Sequence, residues 1–156
     1  MIKDRSALKA FLNKAATAQN ETTRLSTLQA LLASPQTVLD HFPMKALRLI
    51  RSWLVDALAS TSTTSTRSPS TKADAQALTL ASLQLLDRIP MTSEGVLESK
   101  IGQVILKVTK TTTTTLSPNI VSLAKRLSEK LVTIVSIHHL SSFLFFLTST
   151  LYFFFY

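Results

Sequence analysis

An all-α fold is what this sequence predicts, on three observations. Only 2 of its 156 residues are glycine, which argues against hairpin-rich β architecture and against every glycine-dependent phosphate loop. Apolar residues recur at intervals of three and four through most of the chain. The breaks between these runs are Pro, Ser-Pro and Ser/Thr clusters, which stop and restart helices. The length suits one domain with a single core.

Each element follows from its own pattern. In "DRSALKAFLNKAATAQ", Leu8, Phe11, Leu12 and Ala15 share a face, and Asp4 or Ser6 can accept from the free amides of the first turn. A second helix carries Leu25, Leu28, Leu31 and Leu32 and stops at "SPQT", where Ser34 is expected to cap and Pro35 to open a brief third helix reaching about His41. After Pro43, "PMKALRLIRSWLVDALA" sets Leu47, Ile50, Leu54 and Leu58 on one side, with Trp53 on their flank as a core indole. Residues 1–42 thus read as N-terminal helices packing on a bundle that spans 43–135.

Ten of the twelve residues from Ser60 to Thr71 are Ser or Thr, too polar to offset the entropy of ordering them. A disordered loop at 60–72 is expected, with Ser68 in "RSPS" as a phosphorylation candidate. Helical periodicity resumes from Asp74 to Ile89 and ends at Pro90. A short helix around Val96 and Leu97 follows, and then "SKIGQVILKV" places Ile101, Val104, Ile105 and Val108 inward. Five threonines break it. Ser117 and Pro118 then open a last helix with Ile120, Ala124, Leu127, Leu131 and Ile134 inward and Lys125, Arg126, Glu129 and Lys130 outward.

The composition changes near Val135. From Ile137 to Tyr156 there is no charged side chain, and eight of the eleven aromatic residues lie there. Val135 and Ser136 can be encoded by GTAAGT or GTGAGT, the usual start of a spliceosomal intron, and Phe, Leu, Ser and Tyr are residues of T-rich codons. The expectation is that 136–156 is translated intron. A tail anchor is the alternative, since Leu140–Tyr156 approaches the ~17–25 residues of a membrane span and basic residues precede it. Against it stand Ser141, Ser142, Thr148, Ser149 and Thr150 inside the span.

Charge and chemistry narrow the function. Seventeen Lys and Arg against nine Asp and Glu give +8, all before residue 131, so an acidic partner is expected: an acidic peptide, nucleic acid or an anionic surface. Nucleic acid is the less favoured, because the charge is spread and Phe11, Phe42 and Trp53 read as buried. There is no cysteine and hence no disulfide framework or thiolate chemistry, and the N-terminus reads as an amphipathic helix instead of a secretory signal. His41 beside Asp40, and His138 beside His139, are chain neighbours without the spacing that would aim both at one ligand. No cofactor and no catalytic constellation is expected.

The stretch "LQLLDRIPMTSEGVLESKIGQVILKVTK", followed after a loop by "SPNIVSLAKRLSEKLVTIV", resembles the N-terminal domain of the transcription elongation factor TFIIS. Leu83, Leu86, Ile89, Pro90 and Thr92, then Ser99 to Gly102 with Val104 and Ile105, and finally Leu123, Ala124, Lys125 and Leu127 carry the likeness. Upstream, "KALRLIRSWL" is similar to the leucine and tryptophan helix of longer members such as the phosphatase-1 nuclear targeting subunit. Trp53, Leu86, Pro90, Ile101, Gly102 and Leu127 are the fold-defining positions, and Gly102 reads as a point where a neighbouring helix comes close. Two departures stand out: Leu131 occupies a position where the family commonly has tryptophan, and the Ser/Thr loop is long.

The resemblance implies a nuclear interaction module, monomeric and without enzyme activity, that binds short disordered acidic segments with aromatic or aliphatic anchors and links transcription-elongation proteins. The residues suit that role: Lys100, Lys107, Lys110, Lys125, Arg126 and Lys130 outnumber Glu98 and Glu129 in the C-terminal half, and Leu97, Leu116 and Ile120 are candidates to receive the anchors.

Overall fold

A computed structural model describes the backbone of residues 2, 4–18, 20–62, 69–110 and 116–154, and the side chains of these except 62, 69–71 and 138–154. The described residues form eight α-helices and a 3-10 turn, with no strand. In order they are α1 (Arg5–Ala15), α2 (Glu21–Leu32), α3 (Gln36–Leu39), the 3-10 turn Met44–Ala46, α4 (Leu47–Ser62), α5 (Pro69–Arg88), α6 (Ser93–Ser99), α7 (Ile101–Lys110) and α8 (Pro118–Phe154). The all-α helical bundle predicted from the sequence is therefore the observed fold.

Helix starts follow the side chains expected to make them. The Asp4 carboxylate accepts from the Ala7 amide at 2.8 Å and Asn20 accepts from Thr23 at 2.8 Å, each satisfying a donor that the first helical turn leaves open. Ser34 behaves differently from expectation. Its hydroxyl donates back to the Ala30 carbonyl at 2.9 Å, the residue is buried, and Pro35 occupies the cap of α3 with no side-chain bond. A buried hydroxyl takes the nearest unpaired carbonyl, here at the end of the helix it closes.

The expected loop at 60–72 is shorter than the composition suggested. Helix α4 runs to Ser62 and α5 begins at Pro69, leaving 63–68, with Ser68, outside the described residues. Thr61 explains part of the extension: it is buried and its hydroxyl donates to Leu58 O at 2.9 Å. Proline at the first position of α5 costs no hydrogen bond.

Helix α5 is the centre of the bundle. Leu78, Leu83, Leu85 and Leu86 are fully buried, and so are Ala75, Thr79 and Ser82, so that several faces of the helix point into protein. A helix buried around its circumference must satisfy its own polar groups. Thr79 and Ser82 do so by donating to Ala75 O and Leu78 O, each at 2.8 Å. Against α5 pack α2, α4 and α8. Trp53, Ile50, Leu54 and Ala57 of α4 and Leu28 and Leu31 of α2 supply much of the surrounding core.

Polar ties fix the outer helices to this axis. Arg88, at the end of α5, donates through its two terminal nitrogens to the carbonyls of Leu32 and Ser34 where α2 ends. In return the Gln36 amide donates to Arg88 O at 2.8 Å. Carbonyls left open at two helix ends are thus answered reciprocally. Arg24 of α2 pairs with Asp56 of α4 at 2.7 Å, and Arg48 of α4 pairs with Glu98 of α6 at 2.5 Å.

Arg88→Ala is expected to lower stability by about 1.5–3 kcal/mol, the range for hydrogen bonds to a charged donor, and Arg88→Lys to recover only part of this because an ammonium lacks the fork that reaches both carbonyls. Urea unfolding of the two variants checks this; wild-type stability in Arg88→Ala would contradict it.

Candidate docking groove between the last three helices

The site begins at a backbone irregularity. Thr92 caps α6 by accepting from the Gly95 amide at 3.1 Å, and eight residues later the helix ends at Lys100, whose φ of 55° and ψ of 25° are left-handed. Lys100 is the one non-glycine residue with positive φ among those described. A side chain in this region costs roughly 1–2 kcal/mol. The kink lets α7 start at once, at Ile101, in a new direction. Ile101, Val104, Ile105 and Val108 then face the core, as their spacing predicted.

What the spacing did not announce is the other side of α7. Leu106 is 47 % exposed, beside Leu97 of α6 at 53 % and Val132 of α8 at 62 %. These three line one open cavity of about 310 Å³, together with Gly102 and Leu131 and with Val135 and Ser136 of α8. Gln103 and Ser128 are polar members of its walls, and Lys100 is its charged one. Exposed contiguous apolar surface of this kind marks interaction sites more often than a scattered exposed leucine does.

The structure sorts the candidate residues. Lys100 lies on the groove. Lys110 follows Gln103 and Leu106 at i+7 and i+4 on α7, and Lys125 precedes Ser128 and Val132 by three and seven on α8, so both belong to the faces that form the groove. With α7 and α8 joined by a short link and Gly102 opposite Leu131, the helices run antiparallel, and both lysines fall at the end away from Lys100. All three are exposed, and among the described residues none is in an ion pair. Lys107 is exposed but engaged.

Arg126 is placed elsewhere. It pairs with Asp87 of α5, whose carbonyl also accepts from Lys130 at 2.7 Å; both bases clamp α8 to α5. Leu116 and Ile120, expected to receive a partner's anchors, are each 1 % exposed and belong to the core. They cap the bundle where α8 begins, and so cannot receive an anchor without being uncovered. Among the fold-defining positions Trp53, Leu86, Ile101 and Leu127 are buried, while Pro90 is exposed in the link that ends α5.

Gly102 also departs from its expected role. A Cβ built there would meet only the Leu131 side chain, at 3.8 Å, an ordinary contact, so no neighbouring helix demands a glycine. The tight position is Gly95, where a Cβ would come within 2.8 Å of Met44 Sδ and 3.1 Å of Thr92 Oγ1.

Among the described residues no group of three or more His, Asp or Glu could hold a metal, and no helix is long and apolar enough to cross a membrane. The side chains of 138–154, on which the tail-anchor reading and His138 and His139 depend, lie outside the described residues. Residues 81–130 match the family model of Med26, a TFIIS helical bundle-like domain. The match covers 50 of the 156 residues, from the middle of α5 into α8, and includes Gly102, Gln103, Leu106 and Ser128 of the groove. This is a class of protein-interaction domains in transcription and not a known enzyme family. The search of curated proteins gave no match.

Gly102→Ala is expected to stabilise the fold by about 0.4–1 kcal/mol through the unfolded chain, and Gly95→Ala to destabilise it by about 1–3 kcal/mol through overpacking. Lys100→Gly relieves the left-handed backbone and should raise the melting temperature. Thermal unfolding of the three variants is the measurement, and a Gly95→Ala protein more stable than Gly102→Ala would contradict the packing described.

Proposed function

We propose that this chain is a docking adaptor of a nuclear, transcription-elongation-associated protein, and that the groove between α6, α7 and α8 takes short disordered segments in which acidic residues surround apolar anchors. The observation that carries the reading is the strip formed by Leu97, Leu106 and Val132 with Lys100 on its edge; helical spacing sets exposed Lys110 and Lys125 on the same faces of α7 and α8. Water in such a groove has few polar partners, so an apolar anchor displaces it favourably, while the lysines steer acidic segments toward it. Glu98, the acid nearest in sequence to Lys100, is held by Arg48.

The same ion pairs weigh against nucleic acid as the partner. Arg24, Arg48, Arg126 and Lys130 each work between two helices, which reduces the positive charge free to meet a phosphate backbone. A small, partly polar groove suits transient binding, with Kd on the order of 1–100 µM.

Titration of the full chain with a fluorescent acidic peptide bearing leucine and phenylalanine anchors tests this. Leu106→Glu is expected to weaken binding at least ~10-fold, about 1.4 kcal/mol, whereas Val55→Glu, at an exposed apolar position of α4 away from the groove, leaves it unchanged. Raising salt toward 1 M, where the Debye length is about 3 Å, should weaken it too. Equal loss in both variants, or in neither, would refute the site.

A further inference from the structure

The groove's walls say what shape its occupant takes. Helices α7 and α8 run antiparallel along it, α6 contributes Leu97, and the Leu131 side chain covers Gly102 at 3.8 Å. The walls that meet the occupant are Leu97, Leu106, Val132 and Val135, with Gln103 and Ser128 as their polar members. An extended segment laid there would turn a row of backbone amides and carbonyls against apolar walls that offer them almost no partners. A helix satisfies those groups internally and presents only side chains.

Resting on the docking reading of this groove, we infer that its partner segment folds on binding into an amphipathic α-helix that lies as a third helix against α7 and α8, with acidic residues at both ends of about three turns. The spacing comes from the lysines. Lys100 directly precedes α7 and Lys110 closes it, ten residues that rise about 15 Å along the helix. Lys125 stands at the Lys110 end. A helical partner bridges that distance with acids about ten residues apart, whereas an extended one needs only about five at ~3.3 Å each. The apolar face between the acids carries anchors at i, i+3 or i+4, and i+7, matching the line from Leu97 past Leu106.

The test uses the full chain and three synthetic peptides of one composition: acids ten residues apart around i, i+4, i+7 leucines; the same with proline replacing one residue at the centre of the solvent face; and acids five residues apart around alternating leucines. The first peptide is expected to bind at least ~10-fold tighter than the other two, because interior proline breaks the helix, and to gain helical circular dichroism on binding. A lactam bridge between solvent-face positions i and i+4 should tighten it further by removing part of the ordering cost. Equal affinity of the proline peptide, or tighter binding of the five-residue spacing, overturns the helical occupant. If Leu106→Glu still abolishes binding of those peptides, the docking reading survives that failure. If no peptide responds to Leu106→Glu, the groove is not the site and both readings fall.

Discussion

Everything else in this molecule is arranged around the burial of α5. A twenty-residue helix with leucines, alanines, a threonine and a serine all removed from water can exist only if protein covers it on several sides. That requirement recruits α2, α4 and α8 as its jacket. It also explains why the buried polar residues of α5, Thr79 and Ser82, are short hydroxyls that bond within their own helix, and why its last residue, Arg88, reaches across to finish α2. The residues before Pro43 are therefore part of the same core: Leu8, Leu28, Leu31 and Leu39 belong to one hydrophobic cluster with Leu86 and Trp53.

The proposed docking surface is what remains once α5 is covered. Helix α7 contributes to the core along one stripe and packs on α8, and among the described residues neither has a further layer over the side that carries Leu106 and Val132. Leu106 and Val132 are left on that outer side by the same rotation that buries Val104, Ile105 and Leu131. The left-handed residue at Lys100 sets where this exposed strip ends, because it turns the chain from α6 into α7 without an intervening loop. Eight of the seventeen basic residues fall into two groups. Arg24, Arg48, Arg88, Arg126 and Lys130 tie helices together, and exposed pairs of this kind add little stability each but fix relative placement. Lys100, Lys110 and Lys125 are exposed and, among the described residues, in none of these ion pairs, and are the three proposed to meet a partner.

Most of the architecture could be read from the sequence because apolar periodicity and prolines mark helices directly. The inward faces of α1, α4, α7 and α8 followed from spacing, and Asp4 capped where expected. The groove was less legible for a physical reason. Leu106 and Val132 sit at outward positions, where a single apolar residue carries no signal by itself; only the pairing of α7 with α8 makes them neighbours. Leu116 and Ile120 misled because the residues next to a helix start look available in sequence yet here plug the end of the core. Arg126 looked like a free base until Asp87, thirty-nine residues earlier, was brought beside it. Gly95 escaped notice since its constraint comes from Met44, a contact between segments far apart in the chain.

Amide chemical-shift mapping on the full chain, titrated with an acidic segment carrying apolar anchors, tests the central claim most directly. If the groove is the docking surface, the amides that move cluster in Leu97–Leu106 and Ser128–Ser136, with those of α1, α2 and the Arg88–Gln36 junction unmoved. Shifts concentrated on α1 and α2, or scattered over all basic residues alike, would contradict it.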